Sequence, residues 1–175
     1  MKTFLFLLSI SLSVACGAQD VISTSQMQAN AEKDASAMIK HVVAGDYSSF
    51  MTYIYPPLVE MGGGADKMLA AIEEVFSELD KEGITLDSMA LGRISTPIKV
   101  GAQLQCTIEE FSEMRYKDTK IKQVTTLIGL SDNNGKSWTF IESNGKSLKE
   151  LQAMVPQLSN DLFIPAEGEP EIIKE

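Results

Sequence analysis

The sequence predicts an α+β fold in which N-terminal helices pack on a curved, four-stranded antiparallel sheet, with a short C-terminal helix after it. Apolar and polar residues alternate through 103–114 and again through 122–131, which is the period of a half-buried strand. The Asn134-Gly135 dipeptide tolerates the positive φ angles of tight hairpins and separates the second segment from a third at 137–141. The N-terminal half instead spaces its apolar residues three and four apart, as helices that cover one face of such a sheet do.

Helices are predicted before the sheet at 27–44 and 47–55 and from Lys67 to Gly83, with a short turn at 58–61 before the last of them. The carboxylate of Asp46 is expected to cap the second helix, and Pro56-Pro57 is expected to end it. The last of these helices has the most regular apolar spacing. It is therefore expected to cover the sheet, with Ile72 and Phe76 on its apolar face.

A weaker strand at 84–91, broken by residues 92–97, completes the four predicted strands. Ser147 is the expected cap of the final helix, at 148–155. No repeat or low-complexity linker divides the chain, so residues 19–165 are predicted to form a single domain. Residues 166–175, rich in glutamate around glycine and proline, are predicted to be a flexible acidic tail.

Residues 1–18 have the composition of a secretory signal peptide, with an apolar run at 4–12 followed by small residues. The run is shorter than the roughly 20 residues that a membrane-spanning helix needs. Cleavage after Ala18 is one route. The other is a lipoprotein signal that ends before Cys16 and lipidates it, although Ser13 stands where that signal usually has Leu. Both routes predict export to the periplasm, the outer membrane or the cell exterior, with membrane attachment only through a lipid on Cys16.

The cysteine count indicates whether a disulfide can form, and the charge limits the classes of partner. Either cleavage route leaves Cys106 without a second thiol, so no intramolecular disulfide is predicted and Cys106 is expected to be a small buried hydrophobe. The formal net charge is −9, and no basic stripe is interleaved with aromatic residues. Such a surface repels phosphate backbones, so nucleic acid is not expected as a partner.

The sequence contains no recognisable catalytic set, metal site or cofactor motif. His41 is the only histidine, which excludes histidine-rich metal sites. Glu109 and Glu110 are adjacent, so on a strand they point to opposite faces and cannot share a proton. The glycines at 62–64 lack the Gly-Lys-Ser/Thr ending of a phosphate loop and are expected to be a flexible joint. The expected role of Asp46 as a helix cap accounts for an aspartate at this position without a catalytic role.

The order of the predicted elements, and the Ala44-Gly45-Asp46-Tyr47 step followed by Phe50, resemble the NTF2-like superfamily, also called the cystatin-like α+β cone. The chain is also similar to a group of small secreted proteins of Bacteroidetes without assigned function. That second resemblance is carried by Gly45-Asp46-Tyr47, Tyr55-Pro56, Met61-Gly62-Gly63, Asn134-Gly135-Lys136 before Trp138, and Leu158-Ser159-Asn160-Asp161-Leu162 with Ile164-Pro165. The resemblance implies a pocket at the open end of the cone, which in this superfamily serves isomerases, dehydratases, ligand binders and association domains.

The expected function is non-enzymatic binding of a small apolar ligand or of a protein partner in the cell envelope. The expected ligand-binding residues are Tyr53, Tyr55 and Trp138, together with His41, because aromatic residues with a polar handle often line pockets. A homodimer formed through the sheet is a further expectation.

The alternative function is that of a cofactor-free isomerase or lyase acting in the cone pocket, with a tyrosine and an acid or histidine as its groups. His41, Asp46 or Asp87 within hydrogen-bonding reach of a tyrosine hydroxyl would favour that alternative.

Overall fold

The computed structural model describes residues 22–174 of the chain. Its helices are α1 (Thr24–Val43), α2 (Tyr47–Met51), α3 (Pro56–Met61), α4 (Ala65–Lys81) and α5 (Leu148–Met154). Its strands are β1 (Ile84–Ile94), β2 (Ile98–Val100), β3 (Gln103–Tyr116), β4 (Thr119–Ser131), β5 (Thr139–Glu142) and β6 (Glu171–Lys174). The predicted signal peptide and the lipidation site at Cys16 lie outside the described residues.

The strands form one antiparallel sheet in the order β1-β3-β4-β5, which is curved and does not close into a barrel. The α+β class and the short C-terminal helix are therefore confirmed, whereas the predicted number of four strands was wrong. β2 pairs with the start of β3, and β6 pairs with the start of β4, which makes six strands. Strands of three and four residues are too short to show an alternating pattern in the sequence.

β1 also continues past Gly92, where the sequence analysis had ended it. Between Leu91 and Ile94 the register with β3 shifts, so an extra residue is accommodated as a bulge. A Cβ atom on Gly92 would lie 2.6 Å from Cε2 of Phe111. Glycine is required here because β3 side chains approach closely, and not because the strand ends.

The two central strands bury apolar side chains on both faces of the sheet. We call the face that carries Cys106 and Ile108 the front face, and the face that carries Ile128 and Leu130 the back face. The front core contains Ala31, Ala35, Met38, Leu104, Cys106, Ile108, Leu127, Trp138 and Phe140. The back core contains Tyr55, Ile128, Leu130, Ile141, Leu151, Val155, Leu158 and Leu162. Cys106 is the buried hydrophobe that the sequence predicted, and burial raises the pKa of its thiol to about 12.

The helix that covers the front face is α1, and the prediction that α4 would cover it was wrong. Ala31 and Ala35 of α1 are fully buried, and their small side chains let the helix approach the strands closely. α4 has no buried residue and packs against α2, α3 and β1. Its Phe76 stacks on Tyr47 with ring centroids 4.7 Å apart, so its apolar face is used between helices.

The predicted caps are confirmed at both helices for which they were proposed. Asp46 accepts a hydrogen bond from the backbone N–H of Ser49 at 3.1 Å. Ser147 and Glu150 form a reciprocal capping box at the start of α5. Within the predicted acidic tail, β6 pairs with β4, and the flexibility of the tail stays a prediction. Among residues 22–174, no helix has the length and apolar character needed to cross a bilayer.

Truncating a residue of α1 should therefore cost more stability than truncating one of α4. We expect Met38→Ala to lower the free energy of unfolding by about 2–5 kcal/mol, because it leaves a cavity in the front core. The matched variant Ile72→Ala, at a half-buried position of α4, should cost about 1 kcal/mol. Urea denaturation of both variants measures the difference, and an equal or larger loss for Ile72→Ala would contradict the assignment of α1 as the covering helix.

Candidate functional site

The four predicted ligand-binding residues lie in different parts of the structure and do not form one site. Tyr55 is buried in the back core, where its hydroxyl accepts a hydrogen bond from Nε2 of Gln157. Trp138 is buried in the front core, and Tyr53 packs against the edge of that core. None of these residues, nor His41, lines either of the two cavities described below. Ligand binding by these four residues stays a prediction.

His41 forms a pair with Asp46 that the sequence analysis did not foresee. Gly45 adopts a φ of 72°, which reverses the chain after α1 and brings the two side chains together. Nδ1 of His41 lies 3.0 Å from Oδ2 of Asp46. Hydrogen bonds from Ser49 and then the interaction with His41 lower the pKa of Asp46. Asp46 is therefore both the cap of α2 and the partner of the imidazole.

Tyr53 contacts this pair through its ring and not through its hydroxyl. The rings of His41 and Tyr53 are stacked with centroids 6.0 Å apart. Among residues 22–174, no hydrogen bond joins a tyrosine hydroxyl to His41, Asp46 or Asp87. Asp87 is instead paired with Arg115 at 2.9 Å. The criterion set for a proton-transfer site, a tyrosine hydroxyl within reach of one of these three residues, is therefore not met among the described residues.

Glu110 is the most unusual polar group of the described chain. It lies on the front face between Leu91 of β1 and Thr125 of β4, and it is only 2% exposed. Neither of its carboxyl oxygens has a hydrogen-bond partner within residues 22–174. Burial, reinforced by the nearby Glu142, raises the pKa of Glu110 to about 8, and Thr125 opposes the rise. Glu110 is accordingly mostly protonated at neutral pH.

The buried carboxyl of Glu110 is connected to the surface by a row of polar groups. The Thr125 hydroxyl, next to Glu110, donates a long hydrogen bond of 3.4 Å to Glu142. Partial desolvation of its carboxyl raises the pKa of Glu142, although the residue as a whole is exposed, and the negative charge of Glu167 adds to the rise. Glu167 in turn accepts hydrogen bonds from Ser143 at 2.7 Å and from Gln123 at 3.4 Å. Glu167 thereby lies beside residues 123–126 of β4, the segment between the part of β4 that pairs with β5 and the part that pairs with β6.

The signal for Glu110 was present in the sequence. Leu104, Cys106, Ile108 and Glu110 share one parity of β3, so the strand period places the carboxyl at the end of an apolar stripe. Its neighbour Glu109 points to the other face, as the sequence predicted, and pairs with Arg93 at 2.7 Å. Glu142 and Glu167 gave no comparable signal, because their contacts depend on the pairing of distant segments.

A groove of about 500 Å³ crosses the outer half of the back face. Phe111 and Val124 form its apolar floor, and they are 43% and 48% exposed. These two residues are direct cross-strand neighbours, and Ala90 on β1 extends their row. The polypeptide at 168–171 forms one wall. We call this site the back-face groove.

A second cavity, of about 630 Å³, lies between α1 and the edge strand β1. Its apolar lining includes Ile39 and Val43 of α1 and Met89 and Leu91 of β1. It is more open to solvent than the back-face groove and has no aromatic residue in its lining. In the part of the chain that the structure describes, no three histidine, cysteine or acidic side chains are grouped so that they could hold a metal ion.

The raised pKa of Glu110 predicts a stability that falls as the pH rises. The folded state retains the proton up to about pH 8, whereas in the unfolded chain an ordinary glutamate loses it near 4.5. Between these values deprotonation favours unfolding, and the free energy of unfolding should fall by up to about 1.4 kcal/mol per pH unit. Glu110→Gln should remove most of that slope in urea denaturation followed from pH 5 to 8.

Glu109→Gln is the matched control for this experiment. The bonds from Arg93 lower the pKa of Glu109, so the stability that they contribute is lost only below pH 4.5, outside the interval that matters. The slope should be unchanged in this variant. A slope of the same size in Glu110→Gln as in the wild type would contradict the protonated state of Glu110 and would assign the slope to another group with a raised pKa, such as Glu142.

Comparison with protein-family models, with curated proteins and with solved structures finds no match to this chain. The fold and the candidate sites therefore stand on the residues and contacts given above. Those contacts define an α+β domain with an open groove on one face of its sheet and a buried carboxyl on the other.

Proposed function

We propose that the chain is an exported, non-enzymatic domain of the NTF2-like type that binds a small apolar ligand of the cell envelope in the back-face groove. The observation that carries this proposal is the exposed pair Phe111 and Val124 on the floor of the groove. Apolar side chains of this size are usually covered when they stand side by side on a sheet. A ligand that covered them would gain the free energy of removing that surface from water.

The size and lining of the groove support a small ligand. Small-molecule sites commonly enclose about 300–1,000 Å³ and combine apolar walls with a few polar groups. The back-face groove falls within this range and has Ser88 and Gln123 beside its apolar floor. The side chains of the front core fill the region between α1 and the central strands, so the second cavity lies only at the edge of the sheet, against β1. Helices that precede a curved, unclosed sheet support the NTF2-like type.

Replacing the apolar floor should weaken the binding of an apolar probe. We expect Phe111→Thr and Val124→Thr each to raise the dissociation constant of the neutral fluorophore N-phenyl-1-naphthylamine, by about ten-fold for Phe111→Thr. Threonine suits a β-strand, so both variants should keep the fold. Fluorescence titration of each purified variant measures the change.

Val43→Thr is the matched control, because Val43 is similarly exposed and lines the second cavity. It should leave probe binding unchanged. If Val43→Thr weakened binding and Phe111→Thr did not, the ligand would belong between α1 and β1. A second copy of the chain that forms a homodimer through the sheet would be recognised by sedimentation. The mass would then rise with concentration in the wild type and not in Phe111→Thr.

The His41–Asp46 pair favours a second candidate, a cofactor-free isomerase or lyase. An imidazole held by a carboxylate at 3.0 Å has the orientation that a general base needs. The stacked ring of Tyr53 would form one side of such a site. The pair is partly exposed, and Asp46 already serves as a helix cap, so this candidate ranks second.

A measurement of proton exchange distinguishes the two candidate functions. For the non-enzymatic domain, simple ketones in deuterated water should exchange their α-protons at the buffer rate, as followed by NMR. Exchange that is accelerated by the wild type and abolished in both His41→Gln and Asp46→Asn would establish the second candidate. Asparagine also caps helices well, so Asp46→Asn tests the charge and not the fold.

A further inference from the structure

We propose that the ligand of the back-face groove is a cationic amphiphile, with its apolar body on Phe111 and Val124 and its positive head group beside Glu169 and Glu171. This inference rests on the proposed function, since it names the chemical class of the ligand for the same groove. It is carried by the arrangement of charges around the apolar floor.

Cross-strand register places the apolar and charged residues in two adjacent rows. Ala90, Phe111 and Val124 are neighbours on β1, β3 and β4 and form the apolar row. Ser88, Glu113, Lys122 and Glu171 are neighbours on β1, β3, β4 and β6 and form the polar row. Directly opposed residues of an antiparallel pair point to the same face, so the two rows lie side by side along the groove. An extended ligand can therefore contact the apolar row with one end and the polar row with its charged end.

The charges of the polar row do not cancel. Three carboxylates, those of Glu113, Glu169 and Glu171, line the groove together with a single ammonium, that of Lys122. Lys122 lies 3.8 Å from Glu113, and Lys120 lies 3.5 Å from the same carboxylate. Glu169 and Glu171 form no ion pair with any of residues 22–174. The wall formed by 168–171 therefore carries two negative charges that form no ion pair within the described residues, although Lys122 stands opposite Glu171 on β4.

These charges act on a ligand before and after it binds. Both glutamates are exposed, so each contributes a modest, salt-screened attraction to a cation and a similar repulsion of an anion. The net charge of −9 acts in the same direction at longer range. An anionic amphiphile, such as a fatty acid, would bring its carboxylate next to Glu169 and Glu171 and lose affinity. An ammonium group at that position offsets part of the negative charge of the wall.

The test compares three probes that share a ten-carbon chain and differ in the head group: decyltrimethylammonium, 1-decanol and decanoate. Each displaces bound N-phenyl-1-naphthylamine from the full chain in low-salt buffer, below the concentration at which it forms micelles. We expect the cation to compete at a concentration about ten-fold lower than the anion, with the neutral alcohol between them. The preference should shrink as salt is added, because the wall charges are exposed.

The double variant Glu169→Gln/Glu171→Gln should bring the competing concentrations of the three probes close together, by weakening the cation and strengthening the anion. Glutamine keeps the size of each side chain and removes its charge. The matched control is Glu74→Gln/Glu78→Gln on α4, which makes the same change in net charge away from the groove. The control should retain the preference for the cation.

Equal competition by cation and anion in the wild type would overturn this inference, and so would a preference that survives in Glu169→Gln/Glu171→Gln. Either result leaves the proposed function standing, because 1-decanol would still compete. The proposed function fails differently: none of the three probes displaces the fluorophore, or displacement is the same in Phe111→Thr as in the wild type.

Discussion

The pairing of β3 with β4 is the constraint on which the rest of the structure depends. The two strands run together without a register shift from Leu104 opposite Ser131 to Tyr116 opposite Thr119. Because side chains alternate along a strand, this one hairpin sends apolar groups to both faces at once. Two covers are then needed. α1 supplies the first, and α5 with the segment through Leu162 supplies the second.

The segments that cover the two faces are shorter than the β3–β4 hairpin. Both candidate sites lie where the cover ends and the hairpin continues. On the front face the apolar stripe of β3 ends at Glu110, which the fold encloses although it carries a carboxyl. On the back face the cover ends before Phe111 and Val124, which stay accessible beside the C-terminal strand. A long hairpin with shorter covers therefore yields an enclosed acid on one side and an open apolar floor on the other. Stability decreases at the first position, where an acid is desolvated without a partner, and apolar surface stays exposed to solvent at the second.

The sequence predicted those features whose cause is local. The alternation in β3 and β4, the turn at Asn134-Gly135 and the caps at Asp46 and Ser147 each depend on neighbouring residues, and each is present in the structure. The covering helix was misassigned because regular apolar spacing was taken to indicate burial. α4 has that spacing, but it buries no residue, whereas α1 approaches the sheet through Ala31 and Ala35. Small size, and not periodicity, decided which helix fits.

The candidate sites were harder to predict because they depend on contacts between distant segments. Glu167 meets Ser143 and Gln123 only because the chain returns to β4 after α5. The wall of the back-face groove has the same origin in β6. The His41–Asp46 pair is local, yet it depends on a backbone reversal at Gly45 whose direction the residue types do not specify. Aromatic composition drew attention to Tyr55 and Trp138, which the fold uses as core residues.

The irregular edge of β1 limits how copies of this domain can associate. Asp87 interrupts the register at one bulge, and Arg93 stands at the other, held by Glu109. Bulges and charges on an outermost strand prevent a neighbouring chain from extending the ladder of backbone hydrogen bonds. Open-ended stacking of sheets into filaments is thereby disfavoured. At this edge of the sheet, contacts between molecules are left to side chains and not to the backbone ladder.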